Sequence, residues 1–330
     1  MVGQQESSPC RGGAARVDLA CTCWRGLCFA HPADWEEAAL SDFQESGKAV
    51  LVDRRFQRMQ VQWERLNRPP DLEAMHAKLK DSFPQHAIAR LTTHPNWIGL
   101  VRTDPGGQVV HAGRFLQNAG GGKAASGGTA NGTLVQVVIT WPGQRDEPLE
   151  AAILDSVAAQ QGQAMVHWEA LGLHVQVPGE FELAESSSRV GRVVWTFLRK
   201  KPGLPRDDTP GPGATGPASI MIERLALPKY WLKTKLEEWL TTQQPPGFRI
   251  AAAEQVQLPS HAAVRIHARH GGRVADLVRR TEHRLGWAWL CHQQQRIYHV
   301  AVRYRGHRAP ALPEVLVHCC QDVKIGPSVF

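Results

Sequence analysis

The sequence predicts an α+β fold made twice: two repeated domains, each an antiparallel sheet packed with helices. Three observations predict it. First, two ten-residue stretches, GLCFAHPADW (Gly26–Trp35) and GLHVQVPGEF (Gly172–Phe181), place a glycine–leucine pair, a proline and a closing aromatic at the same spacing. Second, VQVVITWPGQRDEPLEAAIL (Val135–Leu154) lies over YHVAVRYRGHRAPALPEVLV (Tyr298–Val317) without a gap, setting Gly143 on Gly306, Arg145 on Arg308 and Leu149 on Leu312. Third, both copies carry apolar stripes at helical spacing, which marks amphipathic helices.

Within each copy the opening motif reads as a strand that its proline stops and whose aromatic covers the core. A glycine and a second strand follow: Gly47 with KAVLVD in the first copy, Gly191 with RVVWTF in the second. The third strand then leads into a helix. Glu64-Arg65-Leu66 lies over Glu223-Arg224-Leu225, and Pro69 over Pro228. Leu72, Met75, Leu79 and Phe83 form one face of that helix; Leu232, Leu236, Trp239 and Leu240 form the equivalent face. Val135, Val137, Ile139 and Trp141 alternate along a later strand, as do Tyr298, Val300, Val302 and Tyr304, so one face of each is buried. A closing helix carries Leu149, Ile153, Leu154 and Val157 in the first copy and Leu312, Val315, Leu316 and Cys319 in the second. Pro148 and Pro313 fit first helical turns, where the missing N–H is not needed.

The copies differ between these elements. The second has an insertion, KKPGLPRDDTPGPGATGPAS, rich in turn-forming residues and expected to be a mobile loop over 200–218. The first has a glycine-rich stretch, Gln117–Gly132, where the second reads GGRVADLVRRTEHRLGW. In the latter, Val274, Leu277, Val278 and Leu285 predict an extra helix, with Arg273, Arg279, Arg280 and Arg284 off its apolar stripe. The predicted organisation is a disordered N-terminal tail over 1–18, a first repeat over 19–163 and a second over 164–330. The order of elements, with the proline–aromatic pair after the first strand and QVQW leading into a helix, resembles the PsbP/DcrB-like α/β/α sandwich superfamily. That resemblance spans about Gly26–Gln160 and Gly172–Val323 and implies a binding or assembly role, with no residue carried over.

Composition limits the functional classes. The chain has 330 residues, 42% of them apolar, a formal charge of +7 and seven cysteines. It has no apolar run long enough for a membrane helix and no secretory pattern, so a cytoplasmic protein with reduced thiols is expected. Between Arg265 and Arg308 there are ten arginines against Asp276 and Glu282, a local charge of +8 that leaves the remainder near −1. Guanidinium groups suit carboxylate and phosphate, and focused charge attracts anionic partners. Trp287, Trp289, Tyr298 and Tyr304 lie among these arginines and offer stacking surfaces if they are not core.

Reactive patterns are few. Cys21, Cys23, Cys28 and His31 have the donor types of a zinc site but not the spacing of a common finger, so unpaired thiols are expected there. Cys291, His292 and His299 gather near one hairpin, and His318, Cys319 and Cys320 near the C-terminal helix, with no sign of a nucleophile held by a base. The stretch NAGGGKAASGG lacks the spacing of a phosphate-binding loop and is read as a linker. The resulting expectation is a non-enzymatic binding or assembly module. Its partner is an acidic protein, met by a basic face of Arg273, Arg279, Arg280 and Arg284, with no metal or cofactor and no membrane contact. The alternatives are a nucleic-acid-associated protein using residues 265–308, and an enzyme with a cleft between the repeats.

Overall fold

The computed structural model describes residues 18–83, 87–117, 131–160, 163–200, 219–258, 260–270, 281–305 and 316–320. The tail expected over 1–18 and the loop expected over 200–218 lie, but for their edge residues, outside those segments. So do most of the glycine-rich stretch, the 271–280 part of the extra helix and residues 306–315 of the closing helix. The chain divides into two compact units. The first holds residues up to Gln163 with Trp168–Leu171; the second holds Ala164–His167 and the chain from Gly172 onward.

The first unit opens with a hairpin of β1 (Leu19–Trp24) and β2 (Leu27–Pro32). Arg25 and Gly26 join them with φ of 53° and 83°, the pair of positive angles that a two-residue primed turn needs. Leu171 and Gly172 repeat that pair at 52° and 65°, which accounts for the glycine of both opening motifs. Pro32 ends its strand, and Trp35 is buried beyond it.

There follow β3 (Glu36–Leu40), β4 (Ser46–Val52), β5 (Gln57–Leu66), α1 (Leu72–Asp81), β6 (Ala87–Arg90), β7 (Ile98–Asp104), β8 (Gly107–Gln117), β9 (Gly132–Pro142), α2 (Glu147–Ser156) and β10 (Ala158–Ala159). Seven of these strands form one antiparallel sheet in the order β3-β4-β5-β9-β8-β7-β6. Leu51, Val61, Leu100, Val110, Val137 and Ile139 are buried in it. Asp146 caps α2 by accepting from Leu149 N at 3.0 Å, and Pro148 occupies the first turn. Ile153 and Leu154 are fully buried on that helix, each contributing on the order of 1.5–3 kcal/mol.

The second unit contains β12 (Leu173–Pro178), after β11 (Met165–Ala170), which straddles the division. It continues with β13 (Phe181–Arg189), β14 (Arg192–Arg199), β15 (Ser219–Ala226), α3 (Pro228–Trp231), α4 (Leu236–Thr242), β16 (Phe248–Gln257), β17 (Ala262–His270), β18 (Glu282–Cys291), β19 (Arg296–Arg305) and β20 (Leu316–Val317). Its seven-stranded sheet has the order β13-β14-β15-β19-β18-β17-β16, the same path as in the first unit. The edge strands β3, β13 and β16 each carry a register shift, a device that bends an edge away from further pairing. β20 pairs with β12, Val317 opposite Val175.

The predicted α+β class is corrected by these sheets. The fold is mostly β, with four short helices among the described residues. The stripe of α1 exists, but Leu72, Met75 and Leu79 are only half-buried and the helix buries no residue fully. Of the helix predicted from Leu232 to Leu240 only the part from Leu236 is helical, as α4, which joins the core through Trp239 and Leu240 against Val264, Ile266 and Ala288. Where the second closing helix was expected, Leu316 and Val317 form a strand. The register also shifts between copies. Glu64 faces Leu134 whereas Glu223 faces His299, two residues further along by the sequence match. A shift of two preserves which face is buried.

Candidate functional site

Of the arginine face expected from the sequence, the described residues include Arg284 alone. Arg273, Arg279 and Arg280 lie outside them. Arg284 is on β18 opposite Ala268, not on a helix, and is only 6% exposed. It donates to Gln243 O at 3.3 Å, and burial together with nearby Arg303 lowers its pKa. Arg303 and Arg265 are paired with Glu282 and Glu254. The aromatics among them are core: Trp289, Tyr298 and Tyr304 are buried, and Trp289 stacks on Tyr298 with centroids 5.5 Å apart.

A different basic surface is exposed in the same unit. β15 ends at Ala226, and Leu227 takes a left-handed conformation, φ 56° and ψ 64°. That conformation costs an L-residue roughly 1–2 kcal/mol. It turns the chain so that Pro228 starts α3 directly, and Trp231 Nε1 donates back to Ala226 O at 2.9 Å. The short helix leaves Leu227 57%, Tyr230 63% and Trp231 36% exposed. Lys229, Lys233 and Lys235 are exposed beside them, and no acid occurs from Ala226 to Leu236. The ammonium groups of Lys229 and Lys233 stand 5.6 and 5.9 Å from the Tyr230 ring centroid, within cation–π range.

The cysteines separate into two groups. Cys23 and Cys28 face each other across the first hairpin and are joined by a disulfide, which corrects the expectation of unpaired thiols there. Cys21 Sγ lies 3.6 Å from Cys23 Sγ. His31 is not with the sulfurs: its Nε2 meets Thr22 Oγ1 at 3.0 Å and its Nδ1 meets Pro32 O at 2.9 Å. In the second unit Cys291, Cys319 and Cys320 come together with His261, a residue that the sequence did not single out. Cys319 is buried as expected, but after a strand rather than on a helix. Burial and the neighbouring Cys291 and Cys320 push its thiol up to about 12, the opposite of an activated nucleophile. His292 is exposed, and His299 is spent on Glu223, whose carboxylate also accepts from Arg192. His318 stacks on His174 at 4.4 Å.

No family model matches this chain, and no curated protein does. Among solved structures, the immunity protein TplEi of the T6SS from Pseudomonas aeruginosa is similar at low level, in its apo form and complexed with an "L" peptide. The identity is 8% in both cases, with TM-scores of 0.32 and 0.30, over 89% of this chain and 90% of that one. Likeness at that score transfers neither a fold nor a function. The PsbP/DcrB-like resemblance finds no support, since no such family is matched and the sheets outweigh the helices. Among the described residues no helix is long and apolar enough to cross a membrane.

Proposed function

We propose that this chain is a non-enzymatic partner-binding protein whose Leu227–Lys235 surface docks an acidic segment of another protein. One observation carries the reading: three exposed apolar side chains and three exposed lysines share a single short, strained connection. Aromatic side chains supply most of the energy in small interfaces, and surrounding charge steers the encounter and selects the sign of the partner. A backbone held in a costly conformation to display them fits a recognition role. The nucleic-acid reading loses ground because three of its four proposed stacking aromatics are buried.

The test uses fluorescein-labelled peptides that alternate glutamate with phenylalanine, read by anisotropy against the whole protein at two salt concentrations. The wild type should bind them in a salt-sensitive way and ignore the lysine counterparts. Lys229→Glu/Lys233→Glu/Lys235→Glu and Tyr230→Ala should each weaken binding at least tenfold, with melting temperatures little changed, since exposed substitutions move stability by about 0.5 kcal/mol or less. Wild-type affinity retained by the charge-reversed protein would refute the assignment. Preference for a single-stranded oligonucleotide over the acidic peptides would replace it with the nucleic-acid reading.

A further inference from the structure

The second unit holds four soft donors at one point, contributed by three separate parts of the chain. His261 sits in the turn between β16 and β17, Cys291 is the last residue of β18, and Cys319 and Cys320 follow β20. Their ligand atoms all lie within 4.8 Å of one another. Cys291 Sγ and Cys320 Sγ are 3.4 Å apart, and Cys319 Sγ and Cys320 Sγ 3.9 Å. His261 Nε2 is 3.4 Å from Cys320 Sγ, and both ring nitrogens are 3.8 Å from Cys319 Sγ.

These separations can be compared with a coordination tetrahedron. Bonds of about 2.3 Å to sulfur and 2.0–2.1 Å to nitrogen set the edges of a tetrahedral zinc site at about 3.8 Å for S···S and about 3.5 Å for S···N. The observed distances fall around those values. Three thiols and an imidazole, with no carboxylate among the four, form a donor set that selects a thiophilic cation over magnesium or calcium. We propose that His261, Cys291, Cys319 and Cys320 bind one zinc ion in a closed, structural site.

One surrounding feature favours the bound form. Trp289 Nε1 points at Cys319 Sγ from 3.5 Å, an N–H donor of the kind that stabilises a coordinated thiolate and orients it. Coordination displaces thiol protons, so affinity must rise with pH. Four protein ligands leave no open position for a substrate, so the role is structural rather than catalytic. The ion would tie residues 319–320 to the ends of β17 and β18, and with them the β20 strand that pairs with β12. The three parts of the chain that supply the ligands are separated by tens of residues, so no common short spacing motif announces the site.

The test is the metal content and spectrum of the whole chain, purified in mild reductant without chelator. One equivalent of zinc per chain is expected, lost on Cys291→Ser/Cys320→Ser and retained on Cys23→Ser/Cys28→Ser. Replacement by cobalt(II) should give the intense visible bands of tetrahedral coordination together with thiolate-to-cobalt charge transfer. Should the cysteine variants fail to fold, His261→Gln provides the second reading. It lies at a turn, and loss of a first ligand should weaken zinc at least tenfold against a chromophoric chelator, since loss of even an outer hydrogen bond costs 10–100-fold. Protein that takes up no zinc after reconstitution, or a cobalt spectrum without thiolate bands, overturns the proposal. So does a Cys291–Cys320 disulfide, found by peptide mapping of the freshly isolated, metal-free chain.

Discussion

Glu150 is the most committed acid in the first unit, and removing its partner should be among the costliest single changes there. Its carboxylate is fully buried. It accepts from Arg145 Nε at 2.8 Å, from Arg145 Nη2 at 2.6 Å and from Trp141 Nε1 at 3.1 Å. The Arg145 side chain is itself only 11% exposed. Arg145→Met keeps the length of the stem and deletes the fork, leaving a buried carboxylate with the Trp141 bond and His94 Nε2 at 3.6 Å. Breaking a buried pair in this way costs about 3–5 kcal/mol, because the remaining charge has lost both water and partner. At about 2–4 °C per kcal/mol for a unit of this size, the melting temperature should fall by roughly 6–20 °C. Arg90 and Glu73 provide the control, an ion pair whose side chains are 59% and 55% exposed. Arg90→Met should cost no more than about 1 kcal/mol. The measurement is equilibrium urea unfolding of both variants and of Arg145→Met/Glu150→Gln, which should recover much of the loss. Equal costs for Arg145→Met and Arg90→Met would refute the reasoning, since a buried, two-bond pair would then be worth no more than an exposed single bond.

Two further outcomes follow from buried ionisable groups. Burial, with Glu37 nearby, raises the Glu169 carboxyl to about 7, so the folded chain holds a proton that the unfolded chain releases near pH 4.5. Stability should therefore fall as pH rises from about 4.5 to 7, by up to about 3 kcal/mol, and urea titrations of Glu169→Gln should show a flatter profile. Arg284→Glu should cost at least about 2 kcal/mol, because it exchanges a buried donor for a buried acid and leaves Gln243 O without that bond. A thermal melt unchanged from wild type would return Arg284 to the exposed face predicted from sequence.

The sequence made the inner strands of each sheet legible where one face alone is buried. Val135, Val137, Ile139 and Trp141 alternate with half-buried neighbours, and that pattern was sufficient. Pro148 marked the start of α2 for a reason local to the chain. Strands outside that pattern were hidden. β16 is exposed along nearly all its length and carries no alternation to detect. The buried face of β18 contains Arg284, Gly286 and Ala288, so its polarity runs against the usual sign and the spacing of Val278 and Leu285 suggested a helix instead. Leu227 gave no warning of its left-handed turn, and Leu232 read as part of the same helix as Leu236 and Leu240. His261 could be joined to the cysteines only by the tertiary path of β17, β18 and β20.

The shared strand order has a consequence for the time course of synthesis. In each unit the third strand of the sheet must wait for the last, so Gln62 meets Gln136 and Glu223 meets His299 across long stretches of chain. At about 5–20 residues per second on a ribosome, the 74 residues that separate the first pair take on the order of 4–15 seconds to appear. Until then the β3-β4-β5 meander presents a hydrogen-bonding edge at β5, in addition to that of β3, to the nascent-chain environment. Topologies governed by such distant pairings also close slowly once complete. The second unit repeats the delay after β9 has been made, since β15 begins only at Ser219, and a first unit that has not closed by then leaves two like edges on one polypeptide. Pairing β5 with β19 in place of β9 is the error this architecture must outrun, and ribosome-bound chains truncated just before β9 are where holdase chaperones should be found.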